Sequence, residues 1–272
     1  MLYRYKFVLL QFGNISRAGN TTRKKKETDM NNMPTITKNL LIINILVFAA
    51  DYILKTKYGI DLDSWFGLHF ILSSDFQLWQ PFTYMFMHGG FDHIFFNMFA
   101  VWMFGRILEQ VWGSKRFLFY YLACGVGAGV CQELLMLTEY ARLTSLMQPE
   151  AITQVLQEGS SVLQMNMNYI DSRMASLNLA INLPTVGASG AIYGILLAFG
   201  MLFPNEQMFV FPLPVPIKAK YFVVGYAVIE LLLGLANRPG DSIAHFAHLG
   251  GMLFGFLLIM YWKKKKRNEY YY

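Results

Sequence analysis

Four polar side chains, set in otherwise apolar sequence, have the types needed to cut a peptide bond: Ser189, His248, His93 and Asn97. A serine hydroxyl is a poor nucleophile until a base takes its proton, and a neutral imidazole such as His248 can do so and later return the proton to the leaving amine. Ser189 lies in "TVGASGAIYGI" (Thr185 to Ile195), a few residues after Pro184. The sequence therefore predicts it at the start of a helix, where backbone N–H groups are left without intrahelical partners and can meet a negative charge. In "HIFFN", His93 and Asn97 are four apart and share one helix face, so both can donate toward one point. His248 falls about one and a half turns into a predicted helix that enters from the same side as Ser189.

Each of these residues also has a plainer reading. "GASGAIYG" carries Gly187 with Ala191 and Gly190 with Gly194, the small-xxx-small spacing of closely packed membrane helices, in which Ser189 is a tolerated small residue. "AHLGGMLFG" repeats the feature with Gly251 and Gly255, while His93 and Asn97 can serve as interhelical hydrogen bonders. A third reading takes His88, Asp92, His93, His245 and His248 as zinc ligands. No HExxH pattern accompanies them, and a metal site has no use for Ser189 or Asn97.

Elements able to position such residues follow from the composition, which is 55% hydrophobic and 15% charged. That is too apolar for an ordinary soluble domain. Apolar runs long enough to cross a bilayer occur near 38–56, 93–111, 116–137, 187–203, 219–237 and 243–262, which predicts an all-α, polytopic membrane protein of six helices. The chain divides into a polar basic arm (1–37), the six-helix region (38–262) and a basic tail (263–272). The arm has no signal-peptide core, and Met30 or Met33 is an alternative start.

Lys24 to Lys26, Lys115 with Arg116, Lys218 with Lys220, and "KKKKR" from Lys263 to Arg267 all fall on one side of the predicted bundle. The acidic loops fall on the other. Both termini are expected in the cytoplasm, and the net charge of +6 reads as this topology signal, not as nucleic-acid binding. Cys124 and Cys131, seven apart on one helix and thus about 10 Å apart, are expected to pack and not to pair. Of the two outer segments, 57–92 carries Trp65, Trp79 and Tyr84 and is expected partly in the headgroup layer. The long loop 138–186 contains stretches such as "PEAITQVLQEG" that suit short interfacial helices. The transmembrane carboxylates Asp51, Glu133 and Glu230 have no evident reason in the sequence to lie beside His248, so the expected catalytic unit is a Ser–His dyad.

Over roughly 38–262 the chain resembles the rhomboid family of intramembrane serine proteases, through "HGGFDHIFFN", "GRILEQVWGS", "GASGAIYG" and "AHLGGMLFG" in that order. The resemblance implies a six-helix bundle in which Ser189 is the nucleophile, His248 the base, and His93 and Asn97 the oxyanion donors. Tyr193 matches the tyrosine packed on the catalytic imidazole, and Gly251 the glycine that lets the sixth helix approach the fourth, with Gly187 and Gly190 as supporting small residues. Arg106 and Glu109 match polar residues that tie the second helix to the first loop. The implied substrates are single-span transmembrane proteins cut near the outer face, with membrane lipid as the only other partner and no metal or other cofactor. The expected location is a bacterial cytoplasmic membrane. An inactive, client-binding relative and a metal transporter are the alternatives. The first loop lacks an evident Trp-Arg pair, and the 138–186 loop is not a common feature of the family.

Overall fold

A computed structural model describes residues 33–208, 215–236 and 242–269. The arm expected at 1–37 lies outside them except for its last five residues, as do both alternative starts except Met33, and as do the last three residues of the tail.

All six predicted spans are helices: α1 Thr35–Tyr58, α2 Phe91–Trp112, α3 Ser114–Thr144, α6 Ser189–Leu202, α7 Ala219–Leu235 and α8 Ser242–Glu269. α2 contains one wide π turn, Val101–Gly105. Among the described residues, four helices are long and apolar enough to cross a membrane, and α6, at 14 residues, is a shorter apolar helix. The segment 138–186 is not an open loop. Its first residues extend α3 by two turns, and the rest forms α4 Pro149–Gln164 and α5 Ser172–Asn182, which pack on the α3 extension through Met136, Leu143, Val155, Leu177 and Ile181. Asp171 caps α5 by accepting from the Arg173 and Met174 N–H groups, which explains why the helix starts there. The basic tail begins as the last turns of α8, because nothing in "WKKKKRNE" breaks a helix. β1 Gln207–Met208 and β2 Ile217–Lys218 pair antiparallel, Gln207 opposite Lys218, beside the start of α7.

α6 lies between α3 and α8, and small residues set how near they come. A Cβ on Gly251 would run into the Gly190 carbonyl, and one on Gly190 would meet Ala128 of α3. The Tyr120 hydroxyl donates to the Gly194 carbonyl at 2.8 Å, adding a polar tie across the same contact. Cys124 packs between these helices and Cys131 remains a thiol against Gly250, as expected for packing residues.

Two expectations for the polar residues fail. Tyr84 is not an interfacial aromatic: it is buried, and its hydroxyl donates to the Gly125 carbonyl at 2.7 Å, whereas Trp65 and Trp79 are exposed. Glu109 does not tie α2 to the first loop. At the opposite end of the bundle, its carboxylate accepts from the Ile36 and Thr37 N–H groups, the Thr37 hydroxyl and Ser114, closing the amino terminus of α1 and the turn into α3. Those N–H groups are the ones a helix start leaves unpaired, and the negative charge faces the positive end of the helix dipole. Arg106 lies with its guanidinium 4.7 Å from the centre of the Trp102 ring.

Glu109→Ala strands several buried donors, at about 1–3 kcal/mol each. Its thermal midpoint in detergent should fall by about 5 °C or more, and Glu109→Gln, which keeps one acceptor oxygen, should recover part of the loss.

Candidate functional site

Ser189 is the first residue of α6, and the chain leading to it is pinned from several directions. Leu68 of the first loop and Thr185 exchange two backbone hydrogen bonds, 2.9 and 2.8 Å, and the Gly187 N–H donates to the Tyr84 carbonyl. Gln132 of α3 donates to the Thr185 hydroxyl at 3.1 Å. The first loop is itself held by carboxylates from the bundle: Asp51 of α1 accepts from the Leu62 N–H, and Glu133 of α3 from the Ile71 N–H. Those two acidic residues are therefore committed to the loop, in keeping with the expectation that they stand apart from His248.

His248 Nε2 lies 2.8 Å from Ser189 Oγ. The His248 ring is stacked on Tyr193, with centroids 4.2 Å apart and planes 9° from parallel. Both neighbours come from α6, since Tyr193 is four residues after Ser189 and so stands one turn below it. Glu230 of α7 completes the arrangement. Its Oε2 lies 2.9 Å from His248 Nδ1 and 2.7 Å from His245 Nδ1, and its Oε1 accepts the Tyr193 hydroxyl proton in a short hydrogen bond. The expectation that no carboxylate stands beside His248 is thus corrected. A lone acid inside an apolar helix was the available signal, because such a group needs a partner and the histidines of the next helix were candidates for it.

With a carboxylate at Nδ1, the proton of neutral His248 belongs on Nδ1, which leaves the Nε2 lone pair facing the serine hydroxyl. Tyr193 donates to the same carboxylate, so the stacked ring is fixed at its tip as well as on its face.

The third part of the site is Asn97 with His93. Asn97 is buried on the inner face of α2, and its Nδ2 has no hydrogen-bond partner among the described residues, an uncommon state for a buried donor. His93, one turn earlier, packs edge-on to His88 at 5.1 Å. Its ring flanks Gly187: a Cβ there would lie 2.7 Å from His93 Cε1 and Nε2, and 3.7 Å from Ser189 Oγ. Gly187 has φ 129°, a backbone state open to glycine and little else. Ser189, His248, Tyr193, His93, Gly187, Gly190 and Gly251 therefore meet at one end of the bundle, with Asn97 one turn beyond His93 on α2. The five zinc ligands considered from sequence do not gather as a group: Asp92 is exposed and, among the described residues, only His245 and His248 of the five fall in a compact set of possible ligands, together with Glu230.

Residues 75–265 match the family model for the Rhomboid domain. The chain belongs to the rhomboid family. It is accordingly an integral membrane protein built as a polytopic helical bundle. Similar proteins include mitochondrial Rhomboid protein 1 of Saccharomyces cerevisiae, 30% identical over 68% of this chain and 42% of that protein. The putative rhomboid protease YdcA of Bacillus subtilis is 24% identical over 71% of this chain and 72% of its own length. Rhomboid protease GluP of the same bacterium is 25% identical over 83% of this chain and 34% of its own length. The chain thus spans less than half of two of these relatives.

Gly187→Ala combines an unfavourable φ with a collision against the His93 ring and should lower the thermal midpoint measurably. Gly225→Ala, in a helix where a Cβ meets nothing within 4 Å, should leave it unchanged or raise it slightly.

Proposed function

We propose that this rhomboid-family chain is an intramembrane serine endopeptidase, with Ser189 as nucleophile and His248 as general base. The observation that carries the reading is the 2.8 Å approach of His248 Nε2 to Ser189 Oγ, with Glu230 at the far nitrogen of the same ring. Family membership, and the protease activity carried in the name of its GluP relative, add to it.

In this mechanism His248 Nε2 takes the hydroxyl proton as Ser189 Oγ bonds to the carbonyl carbon of the substrate peptide. The carbonyl π pair moves onto oxygen, and that oxyanion is met by Asn97 Nδ2, the His93 ring and the Ser189 N–H. The C–N bond then breaks, with the proton passing from His248 to the leaving amine. Water, deprotonated by the same imidazole, attacks the serine ester and releases the second product. Glu230 holds the ring in the Nδ1–H tautomer and offsets the positive charge that forms on it, which makes the reading a Ser–His pair with a positioning carboxylate.

Substrates are single-span membrane proteins. A helix hides its peptide bonds in its own hydrogen bonds, so helix-weakening residues near the cut are favoured. The lysine-rich side is cytoplasmic in a bacterial membrane, an orientation supported by the positions of Lys115, Arg116, Lys218, Lys220 and Lys263.

Purified protein in detergent should cleave a single-span substrate, and its labelling by a fluorophosphonate should map to Ser189. Ser189→Ala should abolish both, and Asn97→Ala should lower turnover by about a hundred- to a thousandfold. Glu230→Gln should lower kcat by about a hundredfold or more with little change in KM, in protein shown by thermal unfolding to be folded. Equal cleavage by wild type and Ser189→Ala would return Ser189 to the role of a small packing residue. Separately, a reporter fused after Lys266 should read out on the cytoplasmic side.

A further inference from the structure

Glu230 faces three donors at once, and two of them are the same kind of atom. His245 Nδ1 and His248 Nδ1 both lie against Glu230 Oε2, at 2.7 and 2.9 Å, and the three ligand-type atoms lie within 4.8 Å of one another. The two histidines are three apart on α8 and so share its face, while Glu230 comes from α7. Two imidazole nitrogens and one carboxylate oxygen are a common protein donor set for zinc. Zinc bonds of about 2.0–2.2 Å put neighbouring donors about 3.4 Å apart, so the ion would fit once each histidine backs away by about half an ångström. The histidine side chains keep 13% and 18% exposure, which leaves a route for water as the fourth ligand. Glu230 Oε1 would keep its bond to Tyr193 and stay out of the coordination.

We propose that Glu230, His245 and His248 form a binding site for a zinc-class divalent cation, and that its occupation inhibits the enzyme. The second half rests on the protease reading above. A neutral imidazole carries one N–H. When the metal takes the Nδ1 lone pair of His248, the displaced proton sits on Nε2, which points at Ser189 Oγ. Nε2 is then a donor with no lone pair to offer, and the serine keeps its proton. The cation also occupies the carboxylate oxygen that would otherwise stabilise the imidazolium. The same cluster is therefore a positioning device when metal-free and a lock when filled, and zinc is an inhibitor here with no part in the reaction.

The test uses full-length protein in detergent, stripped of metal with a chelator and titrated with Zn²⁺. Cleavage and fluorophosphonate labelling of Ser189 should both fall by about a hundredfold, the contribution of a general base. Chelation should restore them, while Mg²⁺ and Ca²⁺ at the same concentrations should do nothing. Binding is read independently of activity on Ser189→Ala, by calorimetry with Zn²⁺ and by the visible absorption of bound Co²⁺, and should reach a single equivalent. His245→Gln in that background should lose the binding. His245→Gln with Ser189 intact should lose the zinc sensitivity, judged against its own metal-free rate.

Failure of Ser189→Ala to bind Zn²⁺ would overturn the site, as would equal binding by the His245→Gln form. Binding at this site with labelling undiminished would overturn the inhibitory coupling. A protein that binds Zn²⁺ through His245 but neither cleaves nor labels at any metal concentration would uphold the site and sink the protease reading instead.

Discussion

The proposed chemistry depends on one contact between two backbones. α8 can lie against α6 only because residue 251 has no side chain to strike the Gly190 carbonyl, and the same approach brings His248 to Ser189 from a different helix. Apolar side chains could hold two helices together, but in lipid they gain little over contact with acyl chains, so small residues and a few hydrogen bonds carry the association. Here the bond from Tyr120 to the Gly194 carbonyl serves that purpose. A wider spacing of about 1 Å would leave the serine and the imidazole in sight of each other but out of hydrogen-bond reach.

Around that contact the buried charges are distributed so that each carboxylate has assigned donors. Asp51 and Glu133 hold the first loop, Glu109 closes the start of α1, and Glu230 gathers Tyr193, His245 and His248. An unpaired carboxylate in an apolar span is costly, and each of these is compensated by donors that come from another segment of the chain. The acids therefore act as long-range ties, and the rigidity of the Ser189 end comes from the first loop being fastened to the bundle at Leu62, Leu68, Ile71 and Tyr84.

The helices and the residues that converge at Ser189 were legible in the sequence because both are local patterns: apolar length, and polar residues at one-turn spacing. What depended on how distant segments cross was not. Glu230 stands 15 residues before His245 on a different helix, and no local pattern pairs the two. The partners of Glu109 at the start of α1 lie more than seventy residues earlier in the chain. Tyr84 looked like a headgroup aromatic because its amphipathic ring suits either an interface or a buried carbonyl, and composition does not distinguish them. The helix at 149–164 was suggested by the weak amphipathy of "PEAITQVLQEG" and the one at 172–182 was not singled out, and the packing of both on an extended α3 follows from apolar residues on three separate elements.

The brevity of α6 fixes a depth. Fourteen residues make a helix of about 21 Å, against about 30 Å of hydrocarbon. A short helix bordered by lipid would draw the bilayer inward. α6 is instead enclosed by its neighbours, with most of its residues buried, so its short length is met by protein and not by lipid. If its far end is level with the membrane surface, Ser189 lies about 9 Å below the opposite one. For the proposed protease, a substrate entering as a helix would thus present to Ser189 a peptide bond about six residues inside the acyl boundary, and the short helix would act as a ruler set from the surface.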